Sequence, residues 1–168
     1  YQVSVDKNGS GNLYSSLVVR SFSPQAIKAP SSTLKIKRSY SPVNGNISEL
    51  KVGQLVQVAL EVESTEENRY IMIEDYLPAG LRPLNSNLDN EKFKSDYRWE
   101  GSWYESMDIR DQKVNIFRSW LSQGSYRFIY YARVSSKGQF TAPAPRIEPM
   151  YDPASYAVGN QTNLKVSK

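Results

Sequence analysis

The sequence predicts an all-β fold, an antiparallel β-sandwich of about eight or nine strands with at most one or two helical turns. Three observations carry this expectation. Apolar and polar residues alternate with period two in run after run. Clusters of Gly, Asn and Pro punctuate the runs at short intervals. No segment sustains the 3.6-residue periodicity of a helix.

Taken in order, Val3 and Val5 mark a first strand and Leu13 to Phe22 a second, of less regular alternation. Asn8-Gly9-Ser10-Gly11 between them reads as a hairpin connection. Thr33 to Tyr40 sets Leu34, Ile36 and Tyr40 against Lys35 and Lys37. Lys35, Lys37 and Arg38 make this the densest basic strand, and it reads as solvated surface. Asn44-Gly45-Asn46 and Lys51-Val52-Gly53 are turns. Gln54 to Glu63 then places Val56, Val58, Leu60 and Val62 on one face and Gln57, Glu61 and Glu63 on the other. Tyr70 to Leu77 is rich in aromatic and branched residues and ends in Leu77-Pro78-Ala79-Gly80, which suits a type I turn.

Asn85 to Asp111 is long, charged and aromatic. It reads as one elaborated loop, with a single helical turn near Asn85 to Asn90 and a short hairpin around Trp99 to Tyr104. Val114 to Leu121 is a strand. Ser125 to Val134 is another, with Tyr126, Phe128, Tyr130, Ala132 and Val134 on its inner face. Ala142 to Tyr156 carries Pro143, Pro145, Pro149 and Pro153 and reads as extended but irregular, because proline cannot feed a central ladder. Leu164 and Val166 mark the last strand.

Composition narrows the chemistry. The 168 residues include no Cys and no His. That excludes disulfides, thiolate metal sites, a Ser-His-Asp triad and a histidine general base. A net charge of +4 is mild and falls short of the density of a dedicated nucleic-acid binder. No apolar run approaches the length of a membrane span. The chain opens at Tyr1 without an initiator Met or signal peptide. It is expected to be one domain, residues 1–168, excised from a larger protein.

Candidate sites are few. Asp6-x-Asn8-x-Ser10-Gly11 begins like a calcium loop, but Leu17 stands where the closing Glu belongs, so no metal site is expected. Glu61, Glu63, Glu66 and Glu67 read as an exposed strand end rather than a catalytic carboxylate pair. Asn46-Ile47-Ser48 and Asn160-Gln161-Thr162 match the glycosylation sequon. Tyr97, Trp99, Trp103 and Tyr104 either cap one end of the core or, as exposed rings, stack on sugars. A carbohydrate-binding or adhesive sandwich of the cell envelope, using Trp99 and Trp103, is therefore the alternative reading. Glu148-Pro149-Met150-Tyr151-Asp152-Pro153 is the oddest segment, since two prolines stiffen a loop that carries large apolar groups. Spacing alone does not decide whether Met150 and Tyr151 tuck into the sandwich or face outward.

Several of these runs share a family resemblance. "YIMIEDYLPAGL" from Tyr70, "RDQKVNIF" from Arg110, "YRFIYYARVSSKGQFTAPAPRIEPMYDP" from Tyr126 and the opening "GSGNLYSSL" fall in order along nearly the whole chain. Together they resemble the C-terminal macroglobulin-like domain of bacterial alpha-2-macroglobulins, the counterpart of the receptor-binding domain of the animal proteins. Phe140, Pro143 and the block from Glu148 to Pro153 make the resemblance specific. It implies a non-catalytic interaction domain of a periplasmic, broad-spectrum protease trap, in a parent that is often an inner-membrane lipoprotein. It further implies packing against a thioester domain of the same parent, target proteases engaged through that parent, and no cofactor. The loop matching Met150 and Tyr151 would cap the thioester. A dry apolar lid suits that task, because water hydrolyses thioesters.

Overall fold

The computed structural model describes residues 3–18, 33–45, 47, 50–84, 105–152 and 154–167. Among these residues the alternating runs become twelve strands and no α-helix. They are β1 Leu34–Pro42, β2 Leu50–Lys51, β3 Leu55–Ser64, β4 Asn68–Tyr76, β5 Leu81–Pro83 and β6 Ser106–Arg110. β7 Lys113–Leu121, β8 Gly124–Val134, β9 Gly138–Ala142, β10 Arg146–Pro149, β11 Ala157–Val158 and β12 Thr162–Ser167 follow.

The strands build a four-stranded sheet in the order β1-β3-β8-β5 and a five-stranded sheet in the order β11-β10-β4-β7-β6. A third sheet, β2-β12-β9, contains the parallel pair β2 with β12, whereas the other ladders are antiparallel. Period two fixes the register. In the β3–β8 ladder Val56 faces Ala132, Val58 faces Tyr130 and Leu60 faces Phe128, and all six are buried. Ile147, Ile73 and Ile116 line up the same way across β10, β4 and β7. Side chains from the four- and five-stranded sheets form one continuous hydrophobic core.

One expectation fails at the middle of β1. Arg38 shares its parity with Ile36 and Tyr40, so it points inward, and its side chain is fully sealed from solvent together with that of Asp75 on β4. Its guanidinium pairs with Asp75 and donates to the carbonyls of Tyr76 at 3.2 Å, Ala142 at 3.3 Å and Pro143 at 2.7 Å. Tyr130 of β8, fully buried, donates its hydroxyl to the other Asp75 oxygen at 2.6 Å. A charge was admitted to the core because a countercharge, a hydroxyl and three carbonyls surround it. This seam ties the two larger sheets and the start of the β9–β10 connection together. Burial pushes the Asp75 carboxyl above its usual range, against the opposing pull of Arg38 and the Tyr130 hydroxyl. Burial likewise raises the phenols of Tyr40 and Tyr130.

Other differences have local causes. Residues 3–18 form no strand, and Val3, Val5, Leu13, Tyr14, Leu17 and Val18 are exposed. Alternation without a sheet to dock on does not make a strand, and a lone hairpin is marginal in water. The charged stretch before Asp111 closes as β6, paired to β7 through a two-residue connection in which Asp111 takes a left-handed φ of 47°. The proline-rich stretch contains β10, a strand inside the five-stranded sheet. Pro143 and Pro145 precede it and Pro149 is its last residue, so no proline interrupts its ladder. The turn at Pro78 closes one residue later than expected, with the Leu81 N–H on the Pro78 carbonyl at 2.9 Å. Gly80 is required by space: a Cβ there would lie 2.3 Å from Cε2 of Phe140. β1 is an edge strand and carries Lys35 and Lys37 exposed along it.

Candidate functional site

β10 runs beside β4 and delivers the chain to a tight turn. The Asp152 N–H reaches the Pro149 carbonyl at 3.2 Å, so Met150 and Tyr151 occupy the two central positions. A second closure follows, in which the Ser155 N–H donates to the Asp152 carbonyl at 3.1 Å and its hydroxyl to the Asp152 carboxylate at 2.6 Å. Side chains at the corner of a turn point away from the sheet. Met150 is accordingly 48% exposed and Tyr151 80% exposed. Neither tucks into the sandwich.

The turn is braced from β4. The Met150 N–H donates to the Tyr70 carbonyl at 2.8 Å, which extends the β10–β4 ladder one step past the Pro149–Ile71 pair. The Tyr70 ring, 51% exposed, meets the Tyr151 ring edge to face at 5.3 Å. Tyr70 has a φ of 53°, a left-handed backbone that costs a non-glycine residue about 1–3 kcal/mol. At this residue β4 switches faces. Asn68 is buried before it, and Ile71, Ile73 and Asp75 are buried after it.

Beside the tip lies an open groove of about 230 Å³ between β4, β7 and the chain before β6, lined by Tyr70, Met150, Phe117, Arg118, Ser119 and Glu105. Glu105 accepts from the Ser119 N–H at 3.1 Å and from its hydroxyl, and those bonds hold its carboxyl below the usual range. One step along the β4–β7 ladder from Tyr70, Trp120 is covered by the Arg69 guanidinium at 4.4 Å. The tip is thus apolar and aromatic, with charged groups set around it.

Of the other candidates, Tyr97, Trp99, Trp103 and Tyr104 lie outside the described residues, as do the helical turn near Asn85 and the hairpin around Trp99. Asn46 and Ser48 of the first sequon also lie outside them, while Asn160 of the second is exposed. Among the described residues no group of three acidic side chains gathers as a metal site, and no helix is long and apolar enough to cross a membrane. Sequence reasoning missed Tyr70. A tyrosine gives no signal for a left-handed backbone, and Met150 is 80 positions away along the chain, so only the ladder brings the two together.

Comparison with known proteins places this geometry in context. The family model described as the bacterial alpha-2-macroglobulin MG10 domain matches residues 33–154. An alpha-2-macroglobulin of Xylella fastidiosa is 29% identical over 163 residues, which is 90% of this chain and 10% of that protein. A circularly permutated Ras protein 2 of Dictyostelium discoideum is 28% identical over 174 residues, 96% of this chain and 4% of that one. The crystal structure of a Salmonella alpha-2-macroglobulin reacted with methylamine matches at a TM-score of 0.70 and 26% identity, over 86% of this chain and 10% of the other. The chain therefore spans a tenth or less of the length of these relatives.

Proposed function

Because the chain belongs to the bacterial alpha-2-macroglobulin MG10 domain family, we propose that it is the non-catalytic docking domain of a protease-trapping parent. On this reading residues 1–168 form one macroglobulin-like domain of a longer chain. The Met150–Tyr151 tip faces a thioester domain of that same parent and covers the thioester. Target proteases meet the parent, not this domain, and the parent works in the periplasm or cell envelope. No cofactor takes part.

The observation that carries the reading is the exposure of Met150 and Tyr151 on a turn that the domain itself braces. Exposed apolar groups on a stiff support are what a surface destined for another surface looks like. Methionine fits irregular gaps, and tyrosine adds a broad ring with a hydroxyl that can hydrogen-bond at the margin. Pressed over a thioester, the pair would exclude water and small amines.

The test is made in the full-length parent. Methylamine uptake and appearance of free thiol are followed for wild type and Tyr151→Ala. Faster uptake and faster spontaneous hydrolysis in the variant are expected, with an unchanged melting temperature. Equal rates reject the lid.

A further inference from the structure

Tyr70 combines three features that packing of this domain does not require. Its backbone is left-handed in the middle of a strand. Its side chain is half exposed, so burial does not offset that conformation. Both of its contacts described above go to the turn after β10: the carbonyl takes the Met150 N–H, and the ring abuts Tyr151. A regular backbone at this position would carry on the parity of buried Asn68, turning the Tyr70 ring inward and Ile71 outward. The left-handed step keeps it on the side of the tip.

We propose that Tyr70 is the positioning residue of the Met150–Tyr151 tip, holding the Tyr151 ring in its outward pose before any partner arrives. Pre-ordering of this kind lowers the entropy lost when the tip docks. The inference rests on the lid reading for its consequence, but its structural core is tested separately.

Three variants of the 168-residue chain separate ring from backbone. Tyr70→Gly keeps the left-handed backbone available and removes the ring, Tyr70→Asn does the same with less added chain freedom, and Tyr70→Phe keeps the ring. In nuclear magnetic resonance spectra of Tyr70→Gly and Tyr70→Asn, the Tyr151 ring signals should move to free-tyrosine positions. Exchange of the Met150 amide hydrogen should speed up by about tenfold, through local opening, while the Ile73 amide stays protected. Tyr70→Phe should behave as wild type. Unchanged Tyr151 signals and Met150 exchange in either ring-less variant overturn the proposal. If Tyr70→Gly unfolds, Tyr70→Asn carries the same decision, and loss of Ile73 protection in both also counts against a local role.

A second arm uses the parent and methylamine. Tyr70→Gly should speed uptake when Tyr151 is present, and the double variant with Tyr151→Ala should be no faster than Tyr151→Ala alone. Independent, additive effects reject positioning. Equal rates for wild type and Tyr151→Ala reject the lid instead, leaving the spectroscopic result for Tyr70 to stand or fall alone.

Discussion

The seam around Arg38 and the tip around Tyr151 invert the usual distribution of residue types in opposite ways. At the seam, two formal charges lie wholly inside the protein. At the tip, a methionine and two tyrosines stand outside it. The seam is closed within the domain: Asp75 and three carbonyls take the terminal N–H groups of the guanidinium, and Tyr130 donates to Asp75, although the Arg38 Nε has no partner. The tip is braced from below but open above. On the proposed function the difference separates groups this fold needs for itself from groups it offers to a partner, and the two should then respond oppositely to mutation.

Arg38→Met is expected to have the largest effect. Removing one partner of a buried pair costs about 3–5 kcal/mol, because the carboxylate and carbonyls are left facing a hydrocarbon. The loss should depend on pH. Asp75 already sits above its usual range in the fold, and losing Arg38 removes a force that lowers it. A carboxyl whose folded pKa is raised contributes stability fully below its unfolded value, about 3.9, and loses that contribution as pH rises through the folded value. The gap between wild type and Arg38→Met in urea denaturation should therefore widen as pH rises past the raised folded value of Asp75 in wild type. A gap that narrows with rising pH would mean that Asp75 is not the group left unpaired.

Gly80→Ala comes next. Its new Cβ would collide with the Phe140 ring, and overpacking costs about 1–3 kcal/mol. Combined with Phe140→Leu, the loss should be smaller than the sum of the two single losses, since the residues share one space. Strict additivity in denaturation midpoints would show that the backbone gives way instead of the ring.

The smallest effect is expected at the tip. Tyr151→Ala should change the stability of the 168-residue chain by no more than about 0.5 kcal/mol, the range of ordinary surface substitutions. Its ring meets Tyr70 but fills no part of the core. A loss of several kcal/mol would erase the contrast between seam and tip and make Tyr151 a packing residue.

The sequence and the structure agree where one face of a strand is wholly apolar. β3 and β8 were legible because Val56, Val58, Leu60 and Val62, like Phe128, Tyr130, Ala132 and Val134, follow strict alternation. Arg38 was legible by position and hidden by charge. Parity put it inside with Ile36 and Tyr40, but the Asp75 that admits it lies 37 residues away. β10 was hidden by its prolines, because their effect depends on whether they fall inside a ladder or at its ends. Residues 3–18 show the reverse error, in which alternation stood in for a sheet that does not take them up. Met150 and Tyr151 came from family resemblance and the bracketing prolines, and their orientation only from the turn that Pro149 and Asp152 close. Tyr70 left no trace in the sequence, because a backbone sign is a property of the folded chain.

Lys35 and Lys37 on edge strand β1 bear on a different hazard, self-association. An edge offers unpaired backbone groups to any other chain, and the row Leu34, Ile36 and Tyr40 would suit continued sheet growth. Lys35 pairs with Glu63 of β3 at 3.4 Å and Lys37 stands across from Glu61, so a charged row lies along that edge. Each copy must desolvate those charges before its backbone can pair. A charged row of this kind raises the cost of adding a further strand to β1. Replacing both lysines with threonine should leave the fold intact and bring concentration-dependent oligomers into view by size-exclusion chromatography.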